Sequence, residues 1–257
     1  MYDSEMPSLS ESQAANYERG SAAQRDAGMK TIDKLEIQKG STVLDLGCGT
    51  GYLTKVLSER VGPEGKVVAV DPDGERLKIA REQYSASNIE YVQADDKTFP
   101  TGQYDFIYAN QVIHWIPDQE AVLKRIHDNL QPGGHFAFTT DIDDSSGAEY
   151  RLMDRLIGPG VFHKIMNDCM KFLTADEYKR LASACGYSQM STETDTQQHE
   201  WKTIDEVIDT AHGWLQGAVD LSKLDKNVVQ QIREECEQRG GPALRMTRTY
   251  LFVILTK

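Results

Sequence analysis

The stretch Asp45-Leu-Gly-Cys-Gly-Thr-Gly51 constrains this chain more than any other. It follows Thr42–Leu46 (TVLDL), which reads as a buried strand, and precedes a helix with Leu53, Val56, Leu57 and Val61 on one face. Gly47, Gly49 and Gly51 carry no Cβ, so the backbone can turn sharply and a ligand can approach it closely. Amides at the following helix start can meet an anionic group. The same rhythm continues downstream. Lys66–Val70, Ile89–Val92, Tyr104–Ala109 and His135–Thr140 read as strands. Helices over Glu75–Tyr84 and Asp118–Leu130 separate them, the latter stopped by Pro132-Gly133-Gly134. Alternation of this kind predicts a doubly wound α/β fold with a mostly parallel sheet and right-handed crossovers. Its ligand belongs beyond the carboxyl ends of the strands.

Acidic residues at those ends narrow the ligand. Asp45 precedes the glycine turn, Asp71 ends the second strand and Asp95 ends the third. The GxGxG spacing differs from the GxGxxG of nicotinamide dinucleotides, because position 52 is Tyr. A carboxylate at Asp45 repels a pyrophosphate and attracts a cationic amino acid group. Asp71 is placed to accept from ribose hydroxyls, and Asp95 from an adenine amino group. Structural roles remain open for two of them: a helix N-cap for Asp71 and a solvated loop for Asp95. Three carboxylates around one glycine turn suit a cofactor with a sulfonium and an ammonium but no phosphate, which is S-adenosylmethionine rather than NAD.

Composition excludes several classes. A net charge of −12 over 257 residues, with no Lys/Arg cluster, argues against a nucleic-acid partner. The strongest apolar run, Tyr250–Leu255, is far too short to span a bilayer, and the polar, acidic start resembles no secretory signal. Cys48, Cys169, Cys185 and Cys236 form no CxxC pair, which predicts free thiols in a cytoplasmic protein and no metal site.

The later chain is expected to be one methyltransferase domain, 1–257, with additions to the cofactor-binding half at 41–141. Residues 1–40 read as helices covering cofactor and substrate; 142–173 and 201–240 read as a helical cap. Thr174-x-x-Glu177 and Thr203-x-x-Glu206 are capping boxes. A strand lies near Gln189–Thr196, a helix near 225–238 and a last apolar strand at Tyr250–Leu255. Oligomeric state leaves no signature in the sequence.

The ordered motifs VLDLGCGTG (43–51), VVAVDPD (67–73), VQAD (92–95), YDFIYAN (104–110) and LQPGG (130–134) resemble those of class I methyltransferases. That resemblance implies a seven-stranded Rossmann-like sheet in the order 3-2-1-4-5-7-6 with strand seven antiparallel, and Asn110 beside the cofactor. A narrower resemblance rests on Ala15-Asn16-Tyr17, Gln24-Arg25-Asp26-Ala27 and Asn110-Gln-Val-Ile-His114-Trp115-Ile-Pro-Asp118. The first two stretches are similar to the start of the carboxylate methyltransferases, which include the juvenile hormone acid, trans-aconitate and malonyl-carrier-protein types, and the third is similar to the first two of these types. The resemblance implies that Gln24 and Trp115 hold a substrate carboxylate through N–H donors that neither ionise nor attack the methyl group. It also implies Tyr17 over the cofactor. His114 is open between orienting the substrate, acting as a base and packing in the core. Trp115 and Gln24 have structural alternatives too, as packing under a cap and as an exposed helix face.

A small organic acid is therefore the expected partner. The alternatives are an amine, phenol or carbon acceptor, with His114 or His163 as base, and a non-catalytic S-adenosylmethionine-binding protein. Nucleic-acid amino-methylation is not expected, since the chain after strand four lacks the (Asp/Asn)-Pro-Pro-aromatic motif.

Overall fold

The computed structural model describes residues 22–142, 147–215 and 218–257. They form two compact units. The larger comprises Gln24–Ile142, Lys171–Asp195 and Tyr250–Lys257; the second includes Asp143–Met170 and Thr196–Thr249.

The described chain opens on α1 (Ala22–Lys34) and then alternates: β1 (Thr42–Leu46), α2 (Tyr52–Val61), β2 (Lys66–Asp71), α3 (Gly74–Gln83), β3 (Ile89–Gln93), β4 (Tyr104–Asn110). A 3-10 turn (Ile113–Trp115), α4 (Gln119–Asn129) and β5 (Leu130–Asp141) follow. The sheet has seven strands in the order β3-β2-β1-β4-β5-β7-β6, where β6 is Gln189–Trp201 and β7 is Leu244–Thr256. Pairings from β3 through β5 are parallel, and β7 runs antiparallel to β5. Fold class and strand order are thus those expected.

The physical cause is visible in burial. Each residue of β1 from Val43 to Leu46 is buried, as is β2 from Val67 to Asp71, because helices cover both faces of a parallel sheet. One core holds Leu44, Val70, Ile107, Phe136, Phe138, Val253 and the α4 residues Val122, Leu123 and Ile126. The opposite face packs Ile32, Val43, Leu57, Val61, Val67 and Tyr108. Helix α7 (Ala175–Cys185) opens on the complete capping box at Thr174 and Glu177 and buries Tyr178, Ala182 and Cys185.

Several boundaries differ from those expected, among them that of β6, which runs on to Trp201. Helix α4 ends at Asn129, and the Pro132-Gly133-Gly134 stretch lies inside β5 rather than stopping the helix. There the β4–β5 register shifts between Tyr104 and Phe106. Gly133 takes φ +77°, and a Cβ on Gly134 would sit 2.9 Å from the Asp105 carbonyl. Those glycines permit an irregular strand that a proline alone would end. Strand β7 begins at Leu244, ahead of the apolar run, because its first half alternates polar and apolar residues.

In the second unit, α5 (Gly147–Ile157), α6 (Val161–Cys169), α8 (Ile204–Leu215) and α9 (Lys226–Arg239) share an apolar core. It contains Met153, Leu156, Phe162, Val207, Ala211 and Ile232. Among the described residues no helix is long and apolar enough to cross a membrane.

Candidate active site

The glycine turn sits where expected, between β1 and α2. Gly47, Gly49 and Gly51 have φ of +74°, +55° and +91°, conformations that an L side chain resists. A Cβ on Gly47 would lie 2.3 Å from Val112 Cγ2, and one on Gly51 would lie 2.8 Å from Ala80 Cβ. The glycines therefore serve packing as well as backbone freedom.

The turn is not an open anion cradle. The amides of Gly47 and Cys48 both donate to the Val70 carbonyl, at 2.8 and 2.9 Å. Gly49 donates to Asp71 Oδ2 at 2.9 Å and Gly51 to the Cys48 carbonyl at 3.1 Å. These amides point inward, so the turn lacks the outward donors that hold a pyrophosphate.

Its carboxylates are buried instead. Asp45 is 2% exposed and accepts from the Thr54 hydroxyl at 2.6 Å. Burial pushes its carboxyl up to about 7 from an ordinary 3.8, opposed by the Thr54 bond and reinforced by the Asp71 charge. Asp71, also 2% exposed, accepts from Gly49 and, through Oδ1, from the Asp73 amide at 2.9 Å. Burial raises it too, held back by Arg76 and those amides. A carboxylate has about four acceptor positions, so Asp71 keeps capacity for hydroxyl donors. The N-cap of α3 is Asp73, which accepts from the Glu75 and Arg76 amides; Asp71 does not fill that role. Burial and the Asp71 and Asp45 charges push the Cys48 thiol well above its usual range, which leaves it protonated and unsuited to nucleophilic work.

Asp95 closes its own turn. Its Oδ1 accepts from the Lys97 amide (3.0 Å), the Thr98 amide (2.8 Å) and the Thr98 hydroxyl (2.6 Å). Burial opposes ionisation, but the Thr98 hydroxyl, these amides and the Lys97 charge together outweigh it and hold the carboxyl below its usual range. Its half-buried neighbour Asp96, which the sequence reading passed over, is raised by burial and by the Asp95 charge.

On the other side of β1, the end of β4 meets α1. Asn110 Nδ2 donates to the Gln24 carbonyl at 2.9 Å, and the Tyr108 hydroxyl donates to the Gly28 carbonyl at 3.0 Å. Gly28 is what lets the helix pass so close. A Cβ there would lie 2.4 Å from Leu53 Cδ1 and 2.6 Å from the Tyr108 oxygen. A glycine inside a helix is itself a sequence signal for close packing, and it was the signal available for this junction. The structure thus brings Gln24 and Asn110 together. Tyr17 lies outside the described residues.

Trp115 ends the 3-10 turn and is half-buried. Neither its indole N–H nor the Gln24 carboxamide has a hydrogen-bond partner among the described residues. His114 is 3% exposed; its Nδ1 lies 2.9 Å from Thr140 Oγ1, and its carbonyl accepts from the Lys171 amide at 2.8 Å. Its ring packs against Phe172 and Trp115, with centroids 5.1 and 5.8 Å away. His163 lies on α6 in the second unit, with its ring against Tyr150.

A sheet of this order with inward-turned amides and buried carboxylates at its first two strand ends narrows the family, and sequence comparison decides it. A family model described as a methyltransferase domain matches residues 21–191. This chain belongs to the class I S-adenosylmethionine-dependent methyltransferases.

Among methyltransferases, the chain is 30% identical over 198 residues to trans-aconitate 2-methyltransferase of Azoarcus sp. strain BH72, covering 74% of this chain and 73% of that protein. It is 31% identical over 130 residues to malonyl-[acyl-carrier protein] O-methyltransferase of Acetivibrio thermocellus, covering 49% and 46%. Identity reaches 33% over 163 residues with the ubiquinone/menaquinone biosynthesis C-methyltransferase of Escherichia fergusonii, covering 60% and 62%. The chain thus spans less than two thirds of the latter two proteins. In fold it resembles Haemonchus contortus phosphoethanolamine N-methyltransferase 2, solved with S-adenosyl-L-methionine: TM-score 0.63 and 14% identity, covering 96% of this chain and 57% of that one.

The residues present fit the methyltransferase cofactor. Buried carboxylates at Asp45 and Asp71 offer acceptors to an ammonium and to ribose hydroxyls. The inward amides offer nothing to a phosphate.

Proposed function

We propose that this methyltransferase transfers a methyl group to the carboxylate of a small organic acid, giving a methyl ester. The observation that carries the reading is a pair of neutral donors on the elements around the β4 end, the Gln24 carboxamide and the Trp115 indole, neither of them committed to a partner among the described residues. The names of two relatives, a trans-aconitate and a malonyl-carrier-protein methyltransferase, support it.

When bound, S-adenosylmethionine supplies an electrophilic methyl group on a sulfonium. The protein's part is then to bind, orient and exclude water. An acid with a pKa near 4 is already ionised at neutral pH, so attack needs no general base. Gln24 and Trp115 can each donate to one carboxylate oxygen while leaving a lone pair free for in-line attack. Neither competes for the methyl group. In this reading Asp45, the glycine turn, Asp71, Asp95, Asn110 and Tyr17 serve the cofactor. His114, tied to Thr140, orients the acceptor rather than removing a proton.

Positioning catalysis predicts partial losses. Gln24→Ala and Trp115→Phe each remove one donor to a charged group, and each should lower kcat/KM for the acid by about tenfold. Ester formation measured with labelled methyl donor checks this; normal kcat/KM in both variants refutes the clamp. A second reading, methylation of an amine, phenol or carbon, draws on the C-methyltransferase relative. It predicts a rate that climbs with pH across the pKa of the acceptor or its base. Carboxylate methylation predicts a kcat that stays flat above pH 6.

A further inference from the structure

The residue after Asn110 is unlike its neighbours. Gln111 has φ +58°, and it is the one non-glycine residue with positive φ among those described. Glutamine has no special tolerance for that conformation, unlike glycine or asparagine, so the backbone there is strained. Its side chain is 8% exposed, and its Nε2 is buried with no hydrogen-bond partner among the described residues. Two costs thus fall on one residue: a disfavoured backbone and an unmet donor in a dry setting. Leucine would remove the second, and glycine would remove both. Packing alone gives no reason to keep a glutamine here.

The position explains the need. The Gln111 amide donates to the Thr139 carbonyl at 2.9 Å, which fixes the backbone between the carboxyl ends of β4 and β5. Asp45, Asp71 and Asp95 belong to β1, β2 and the end of β3, the other half of the strand-end row. Gln111 therefore lies away from the ribose and adenine side, at the entry to the turn that carries His114 and Trp115. Asn110 has the opposite unmet need: its Nδ2 is committed to the Gln24 carbonyl, and its Oδ1 is a buried acceptor without a partner among the described residues. An acceptor suits the cationic cofactor. A donor suits an anionic acceptor substrate.

We propose that Gln111 is a substrate-specificity residue whose carboxamide N–H donates to the carboxylate of the acceptor acid, as a third donor beside Gln24 and Trp115. The inference rests on the carboxylate reading above and extends it. Gln24 and Trp115 are partly exposed and can be satisfied by water; Gln111 cannot, so its donor is met only when acceptor enters. An acceptor lacking an anionic oxygen leaves the amide unmet, and the strand end thereby discriminates against amines and neutral carbons.

The test uses two variants of the full chain, Gln111→Leu and Gln111→Gly, with wild type as control. Three quantities are read: KM and kcat for an acid that wild type methylates, Kd for S-adenosylhomocysteine by calorimetry, and Tm. The expected result is a KM for the acid raised about tenfold in both, unchanged Kd for S-adenosylhomocysteine, and Tm at or above wild type. Unchanged KM in both variants, with wild type active on the acid, overturns the role of Gln111 and leaves the carboxylate reading standing. Loss of S-adenosylhomocysteine affinity, or a fall in Tm, assigns Gln111 to the cofactor or to the turn and also overturns it. A wild-type protein that methylates an amine or carbon but no acid overturns both readings together.

Discussion

Gly47→Ala is expected to weaken S-adenosylhomocysteine binding by more than about a hundredfold and to lower Tm by roughly 10 °C. Two penalties combine. An alanine at φ +74° meets the left-handed penalty, about 1–2 kcal/mol. Its Cβ would also lie 2.3 Å from Val112 Cγ2 and 3.0 Å from Cγ1, an overlap of the kind that costs about 1–3 kcal/mol in a packed site. Relief requires the turn to move away from the β4 end, and that movement displaces the buried carboxylates proposed to receive the cofactor. Gly133→Ala is the control. It has φ +77° but nothing within 4 Å of the added methyl, so it should lose stability and keep cofactor affinity. The double variant Gly47→Ala/Val112→Ala should recover part of the loss, because it removes the overlap and leaves only the conformational strain. Calorimetry and thermal melts on the four proteins read all of this. Wild-type affinity in Gly47→Ala would show that the turn does not touch the cofactor.

Affinity for S-adenosylhomocysteine should fall as pH drops below 7, approaching tenfold per unit and about fiftyfold between pH 7 and pH 5. In the free protein burial raises Asp45 to about 7, with Thr54 opposing and Asp71 adding to the shift. A bound ammonium favours the ionised form, so binding below pH 7 must expel a proton. The sign follows. Binding strengthens as pH rises to about 7, and it weakens again in the alkaline range, where the ligand's own α-amino group loses its charge. The stability counterpart has the same origin. An acid whose folded pKa is raised stabilises the fold while protonated, so the ligand-free protein loses that contribution as pH climbs from about 4 to about 7. Ligand should therefore raise Tm more at pH 7.5 than at pH 5.5. Asp45→Asn should bind less tightly at pH 7.5 and lose the acid limb; an unchanged limb in that variant would assign the titration to another group.

Some of the candidate site was readable because local rules make it so. A glycine turn after an apolar strand has few uses, and an acidic residue at a parallel strand's carboxyl end faces the ligand edge by topology. Asp45, Asp71, Gly47 and Gly51 could be picked out on those grounds. The inward aim of the turn's amides could not, since it depends on the Val70 carbonyl of a neighbouring strand and on the Asp71 side chain. Nor could Gln111. No propensity rule places glutamine in a left-handed conformation, and its unmet amide exists only once β4 and β5 are packed.

The sequence by itself determined the class of fold and the methyl donor, while the strand order came from the resemblance to class I methyltransferases. The 3.6- and 2-residue periodicities, glycine spacing and acidic strand ends are local properties of the chain, and they survive without knowledge of its neighbours. Only the tertiary structure decided the charge states and the constraints around them. Burial within the closed sheet pushes the Asp45 carboxyl up to about 7, opposed by Thr54 and reinforced by the Asp71 charge on the next strand. Gly28 is needed because α1 presses on Tyr108 and Asn110, far along the chain. Burial and proximity between distant residues are collective quantities, so they emerge when the sheet closes and not before.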